Sequence, residues 1–130
     1  MILDLLQKKL LLSTYVAHGR GSGDNYAVAF SNRPGSYQSS LGFFRTGDTY
    51  MGKNGYSLFL DGLEKGINDK ARERAIVVHG ANYADPAVLK GQQRLGRSLG
   101  CPALPPDISK QVIDTIKGGV LLYIYGLNKA

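Results

Sequence analysis

Cysteine is nearly absent from this chain: its 130 residues include one, Cys101. A single cysteine excludes an internal disulfide and a cysteine-rich zinc cluster, so neither staples the fold. Tryptophan is missing, and histidine occurs twice, as His18 and His79. No run approaches the roughly 20 apolar residues of a membrane-spanning helix, so no membrane span is expected. The opening Met1-Ile2-Leu3-Asp4-Leu5-Leu6 has no basic segment and carries an aspartate inside its apolar run, so it does not read as a signal peptide. Internal repeats and low-complexity tracts are also missing.

Charge is present without concentration. The net +6 is spread along the chain and favours an anionic partner only weakly. A nucleic-acid surface needs aromatics interleaved with basic residues on one strand face, and Tyr50, Met51, Gly52, Lys53 and Tyr56 supply only a thin version. No nucleic-acid partner is expected, and nothing in the sequence sets an oligomeric state.

The length suits one domain over residues 1–130 with a real core. Seventeen glycines and eight tyrosines favour a β-rich, turn-rich fold. Apolar runs at residues 2–6 and 10–17 flank Gln7-Lys8-Lys9, which predicts a hairpin; an amphipathic helix is the competing reading. His18-Gly19-Arg20-Gly21-Ser22-Gly23 is a loop whose glycines resemble a phosphate cradle, but neither a Gly-Lys-Ser/Thr nor a long apolar helix follows. Strands are predicted over residues 26–30, 41–45, 56–60 and 75–79. Turn chemistry covers residues 31–38 and recurs at Gly47, Gly52 and Gly55. The polar segment 62–74 has room for a helical turn. Asp85-Pro86 is a cap and first-turn pair for a short helix over residues 86–93. Asp107 opens a second helix through Ile108, Val112, Ile113 and Ile116, stopped by Gly118-Gly119, and residues 120–125 close the chain as a buried strand. The sum is a mostly β fold with one or two short helices.

Residues 75–104 organise the chemistry. Ile76, Val77 and Val78 deliver His79 and Gly80 to a strand end, and Cys101 follows Gly100 in a second turn. A thiol beside an imidazole is the minimal equipment for acyl transfer: the imidazole takes the proton and the sulfur attacks a carbonyl. So paired, the thiol is expected to be substantially ionised at neutral pH. Gly96-Arg97-Ser98-Leu99-Gly100 also spells the nucleophile elbow of serine hydrolases, but no histidine follows the serine, as that order requires. A metal site from His18, His79 and Cys101 has the residue types without any closely spaced ligand pair. The plainest alternative makes Cys101 a small buried hydrophobe and His79 a core histidine.

At these positions the chain resembles the L,D-transpeptidase catalytic domain of bacterial cell-wall synthesis. The likeness rests on Val78-His79-Gly80 and Ser98-Leu99-Gly100-Cys101. Upstream, Pro34-Gly35 and Ser39-Ser40-Leu41-Gly42-Phe43-Phe44 extend it. Pro102 after the cysteine points to the divergent murein L,D-transpeptidase catalytic-domain-like branch, whereas Leu99 stands where a histidine is common. The resemblance implies an L,D-transpeptidase-like β-sandwich or mixed sheet and a periplasmic or cell-envelope location. It implies Cys101 as nucleophile, His79 as base and later acid, and the Gly80 carbonyl as the group orienting the imidazole. Backbone N–H groups of Leu99, Gly100 and Cys101 are the implied oxyanion donors. Ser98 and Arg97 would shape the site, Arg97 by pairing with a substrate carboxylate. No metal and no cofactor are implied. The implied substrate is a peptidoglycan stem tetrapeptide cut before its terminal D-Ala. An amine acceptor then gives a cross-link, and water gives L,D-carboxypeptidase hydrolysis. A non-catalytic wall-binding module would use the same cleft without turnover.

Overall fold

The computed structural model describes residues 1–128. The chain begins with an antiparallel hairpin, β1 (Ile2–Asp4) and β2 (Lys9–Leu12), with Leu3 opposite Leu10 and Asp4 opposite Lys9. The Gln7 N–H donates to the Asp4 carboxylate at 3.0 Å, the local bond by which aspartate closes a turn. Pairing stops at Leu12, and the extended chain beyond it reaches Ala17, which bridges to Ala103.

The main sheet is built from β3 (Gly42–Gly52), β4 (Gly55–Gly62), β5 (Val77–Gly80), β6 (Ala103–Leu104) and β7 (Leu121–Ile124). Its strand order is β6-β5-β4-β3-β7, antiparallel throughout except for the parallel pair β5–β6. A parallel pair needs a crossover, and residues 81–102 supply it with two short 3-10 turns, Asn82–Ala84 and Pro86–Lys90. Asp85 caps the second of these by accepting from the Ala87 N–H at 2.9 Å, as the Asp-Pro pair predicts. The one α-helix among the described residues, α1 (Pro106–Ile116), starts with proline in its first turn and Asp107 beside its positive end.

One face of the sheet carries the core. Phe44, Leu58, Leu60, Val78 and Leu104 alternate inward and meet Val112 and Ile113 of α1, with Ala71 and Ile76 closing the side. The other face bears the Tyr50–Phe59 and Phe43–Tyr123 ring stacks. Thr46 ties α1 to the last strand: its hydroxyl donates to the Ile116 carbonyl at 2.6 Å and accepts from the Val120 N–H at 2.8 Å. Gly118 and Gly119 take φ of 79° and 99°, a reversal open to glycine at little steric cost.

Asn68 does the equivalent work between β4 and β5. Fully buried, it donates to the Leu41 and Phe43 carbonyls and accepts from the Glu64 N–H, each at 2.9 Å. Asn68→Ala strands the Leu41 carbonyl and the Glu64 N–H, the Phe43 carbonyl keeping the Leu63 N–H, and a loss of about 2–3 kcal/mol is expected in a denaturant melt. A loss below 0.5 kcal/mol would show that water replaces the amide.

Four local expectations change. Residues 26–30 form no strand, because the N–H groups of Val28 and Ala29 both turn back to the Ser22 carbonyl at 2.9 and 3.1 Å. Gly47 lies inside β3, at the register shift between Thr46 and Thr49, and not in a turn. The strand carrying His79 starts at Val77: Ala75 has a φ of 56°, and the Ile76 N–H returns to the Ala71 carbonyl. The last strand is an exposed edge and not a buried one, with Leu121 and Tyr123 60% and 56% accessible, because only β3 pairs with it.

Candidate active site

The register of the parallel pair sets the site. His79 lies opposite Ala103 and Gly80 opposite Leu104. Counting back two residues on each strand puts Cys101 level with Val77. The Val77 N–H points at Cys101 Sγ at 3.4 Å, and the thiol points at the Ala75 carbonyl at 3.5 Å.

His79 is 3% exposed, and its Nδ1 lies 2.9 Å from the Gly80 carbonyl. A carbonyl only accepts, so Nδ1 carries the proton and Nε2 keeps its lone pair. This is the tautomer a general base needs. Gly80 itself must lack a side chain, since a Cβ there would stand 2.6 Å from Ser109 Oγ on α1. No hydrogen bond joins His79 to Cys101 at rest; the thiol is held by backbone alone.

Around Cys101 three loops are laced together. Ala17 and Ala103 exchange two backbone bonds of 2.8 and 3.1 Å, the Ser98 N–H donates to the His18 carbonyl, and the Arg20 N–H donates to that of Ser98. Gly19 packs so closely on Gly100 that a Cβ would lie 2.8 Å from the Gly100 Cα. Gly100 has a φ of 124°, which a side chain would strain. Buried Ser98 donates to the Cys101 carbonyl at 2.5 Å and accepts from the Gly100 N–H at 3.2 Å. It therefore braces the nucleophile turn while engaging one of the three N–H groups considered as oxyanion donors. Arg97 turns away toward the Gly23 carbonyl at 3.1 Å and Asp24 at 3.6 Å. His18 Nε2 lies 3.2 Å from the same Gly23 carbonyl, and among the described residues no three His, Cys, Asp or Glu side chains converge.

The thiol is not pre-ionised. Burial pushes its pKa up, while the Val77 N–H and the Arg74 guanidinium pull it down. The expectation of a thiolate at neutral pH is therefore corrected: the sulfur sits against the core cluster as a neutral thiol. Alkylation by iodoacetamide is expected to be slower at pH 7 than for a free cysteine, and still to be rising above the free thiol's midpoint of about 8.5. A rate already flat at pH 7 would contradict this.

Two cavities reach the chain neighbours of the reacting groups, Pro102 and Gly80, without being lined by Cys101 or His79 themselves. One of 350 Å³ is lined by Ala17, His18, Phe30, Ser39 and Pro102, next to the nucleophile. The other, of 330 Å³, is lined by Tyr56, Gly80, Asn82 and Ser109 beyond the imidazole. A third cavity, of 360 Å³, is walled by Tyr15, Tyr26, Leu89 and Arg94 and shares His18 with the first.

The sequence model of the family described as L,D-transpeptidase catalytic domain matches residues 1–125. The chain belongs to that family. No curated protein and no solved structure was found to match it. In this L,D-transpeptidase domain the resembling motifs fall on adjoining strands, with His79-Gly80 ending β5 and Ser98 to Cys101 leading into β6. The mostly β architecture with a mixed sheet agrees with the family expectation. Arg74 is the neighbour that sequence reasoning passed over: it stood among four basic residues of a polar segment, and only its place three residues before β5 marks it out.

Proposed function

We propose that this L,D-transpeptidase domain transfers acyl groups of peptidoglycan stem peptides through a thioester on Cys101. The observation that carries the reading is the His79 tautomer: an imidazole with Nδ1–H fixed on the Gly80 carbonyl and Nε2 left as acceptor, one strand from the chain's sole thiol.

Because the resting thiol is neutral, attack and proton transfer are coupled. Cys101 Sγ rotates off the Ala75 carbonyl, gives its proton to His79 Nε2 and bonds to the carbonyl carbon before the terminal D-Ala. The N–H groups of Leu99 and Cys101 face the developing oxyanion, joined by that of Gly100 once Ser98 releases it. Collapse breaks the C–N bond, and the departing D-Ala amine takes the proton from His79. The amine of a second stem peptide, or water, then attacks the thioester with His79 again as base; the C–S bond breaks, and the departing Cys101 sulfur takes the proton back from His79. Ser98 holds the nucleophile turn, and Arg97 meets a substrate carboxylate only by leaving Asp24. The work is placed in the cell envelope, where the polymer lies; among the described residues no helix is long and apolar enough to cross a membrane.

The test is incubation with purified tetrapeptide, scored by mass. Loss of D-Ala is expected, with a cross-linked product if an amine is the acceptor and a free tripeptide if water is. Saturable binding with no D-Ala loss would instead identify a non-catalytic wall-binding module.

A further inference from the structure

Arg74 is a partly buried guanidinium with four hydrogen bonds and no acid. Its Nη1 donates to the Ser31 carbonyl at 2.9 Å and Ser40 Oγ at 2.7 Å; its Nη2 donates to Ser36 Oγ at 3.1 Å and the Gln38 carbonyl at 2.8 Å. Among the described residues it forms no salt bridge, whereas Arg72, two residues earlier, pairs with Asp61 at 2.6 Å on the surface. Burial without a counter-charge holds its pKa below the usual arginine range. A withdrawn cation left unpaired is costly, and the neutral acceptors around it fix its position without cancelling its charge.

That position is against the nucleophile turn. A Cβ on Gly100 would stand 3.4 Å from Arg74 Nη2, and the carbonyl that receives the Cys101 thiol belongs to the next residue, Ala75. The titratable groups that act on Cys101 are Arg74 from the segment before β5 and Tyr83 from the 3-10 turn beyond it, while His79 follows on β5 two residues after the strand position level with Cys101. Tyr83 has its phenol pushed up by burial and by the thiol's own charge, so it remains neutral there. Arg74 is thus the permanent cation of the group.

We propose that Arg74 is a positioning residue for acyl transfer: its guanidinium, held by four neutral acceptors beside Gly100 and Cys101, is the counter-cation of the charge that develops on Cys101 Sγ. The role rests on the acyl-transfer reading above. It also explains how a thiol without a resting imidazole bond becomes a nucleophile: the protein supplies the charge partner in advance, and His79 only has to take the proton.

The experiment compares Arg74→Gln, Arg74→Lys and Ser36→Ala in iodoacetamide alkylation across pH and in D-Ala release. Arg74→Gln is expected to alkylate about tenfold more slowly at pH 8, a midpoint raised by about one unit, and to lower kcat with KM little changed. Arg74→Lys keeps most of the native alkylation rate because it keeps the charge, and Ser36→Ala, which removes one tether only, leaves the profile in place. A folded Arg74→Gln variant with the native profile overturns the proposal, as does a Ser36→Ala shift equal to that of Arg74→Gln. Alkylation needs no peptide, so a chain that never releases D-Ala defeats the acyl-transfer reading and leaves this result standing.

Should Arg74→Gln fail to fold, Cys101→Asp and Cys101→Asn decide the point with Arg74 intact. With the cation beside it, the aspartate variant is expected to melt no lower than the asparagine variant at pH 7. It should lose ground as pH falls and the carboxylate takes up a proton. An aspartate variant melting well below the asparagine variant at pH 7 overturns the assignment.

Discussion

Cys101→Ser is expected to lower D-Ala release by on the order of 10⁴-fold or more while leaving the melting temperature within a few degrees of the native value. The structural cost is small because the side chain contacts only the Val77 N–H, the Ala75 carbonyl and the edge of the core, and a hydroxyl serves both backbone partners. The chemical cost is large because attack depends on a polarisable sulfur whose proton leaves easily. Even with burial raising it, the thiol's pKa lies far below that of an alcohol. His79, not hydrogen-bonded to the nucleophile at rest, lacks the pre-aligned contact that would activate a serine. Near-native turnover in a folded Cys101→Ser variant would transfer the chemistry to another residue.

His79→Ala is expected to cost about 10²–10⁴-fold in kcat, the usual worth of a positioned acid–base group. His18→Ala should cost less than tenfold. The two histidines differ in setting. The His79 ring is buried and its tautomer is fixed by Gly80, whereas His18 faces the Gly23 carbonyl across its own loop. The residues nearest His18 are loop residues, so its loss loosens the stack of residues 17–23 on the nucleophile turn without removing a base. A His79→Gln variant, closer in volume, should be nearly as inactive as His79→Ala, which separates lost chemistry from a cavity in the fold. Equal losses at the two histidines would contradict the assignment of the base.

The difference between what the sequence disclosed and what it withheld has physical causes. The β-branched run at residues 76–78 announced a strand, and the glycines beside His79 and Cys101 announced turns, so the place of both groups at strand ends was legible. Asp85-Pro86 acts through a bond to a near neighbour in the chain and Gly118-Gly119 through backbone angles open to glycine, and the structure places a capped turn and a helix end there. Residues 26–30 alternate like a strand, yet their N–H groups turn back to Ser22, a partner that alternation does not reveal. Gly47 reads as a turn because the bulge it occupies depends on pairing with β4 and on the approach of Gly118. The thiol's ionisation was misjudged because residue types suggest a thiol–imidazole pair, whereas the state is set by burial and by Arg74. Asn68 and Arg74 were passed over for one reason. Each works through backbone groups some 25 to 43 residues away, and spacing along the chain carries no trace of such bonds.

The account stands on an acyl group carried by Cys101, and a strained lactam tests it directly. A carbapenem's strained lactam mimics the scissile amide, so incubation of the native chain with one, followed by peptide mapping, is expected to give one adduct per chain, on the peptide holding Cys101. With a single cysteine no second thiol confuses the count. Formation should be slower in His79→Ala and absent after unfolding. A native chain that takes up no carbapenem, while its denatured form alkylates readily, would show Cys101 to be a core residue and contradict the mechanism.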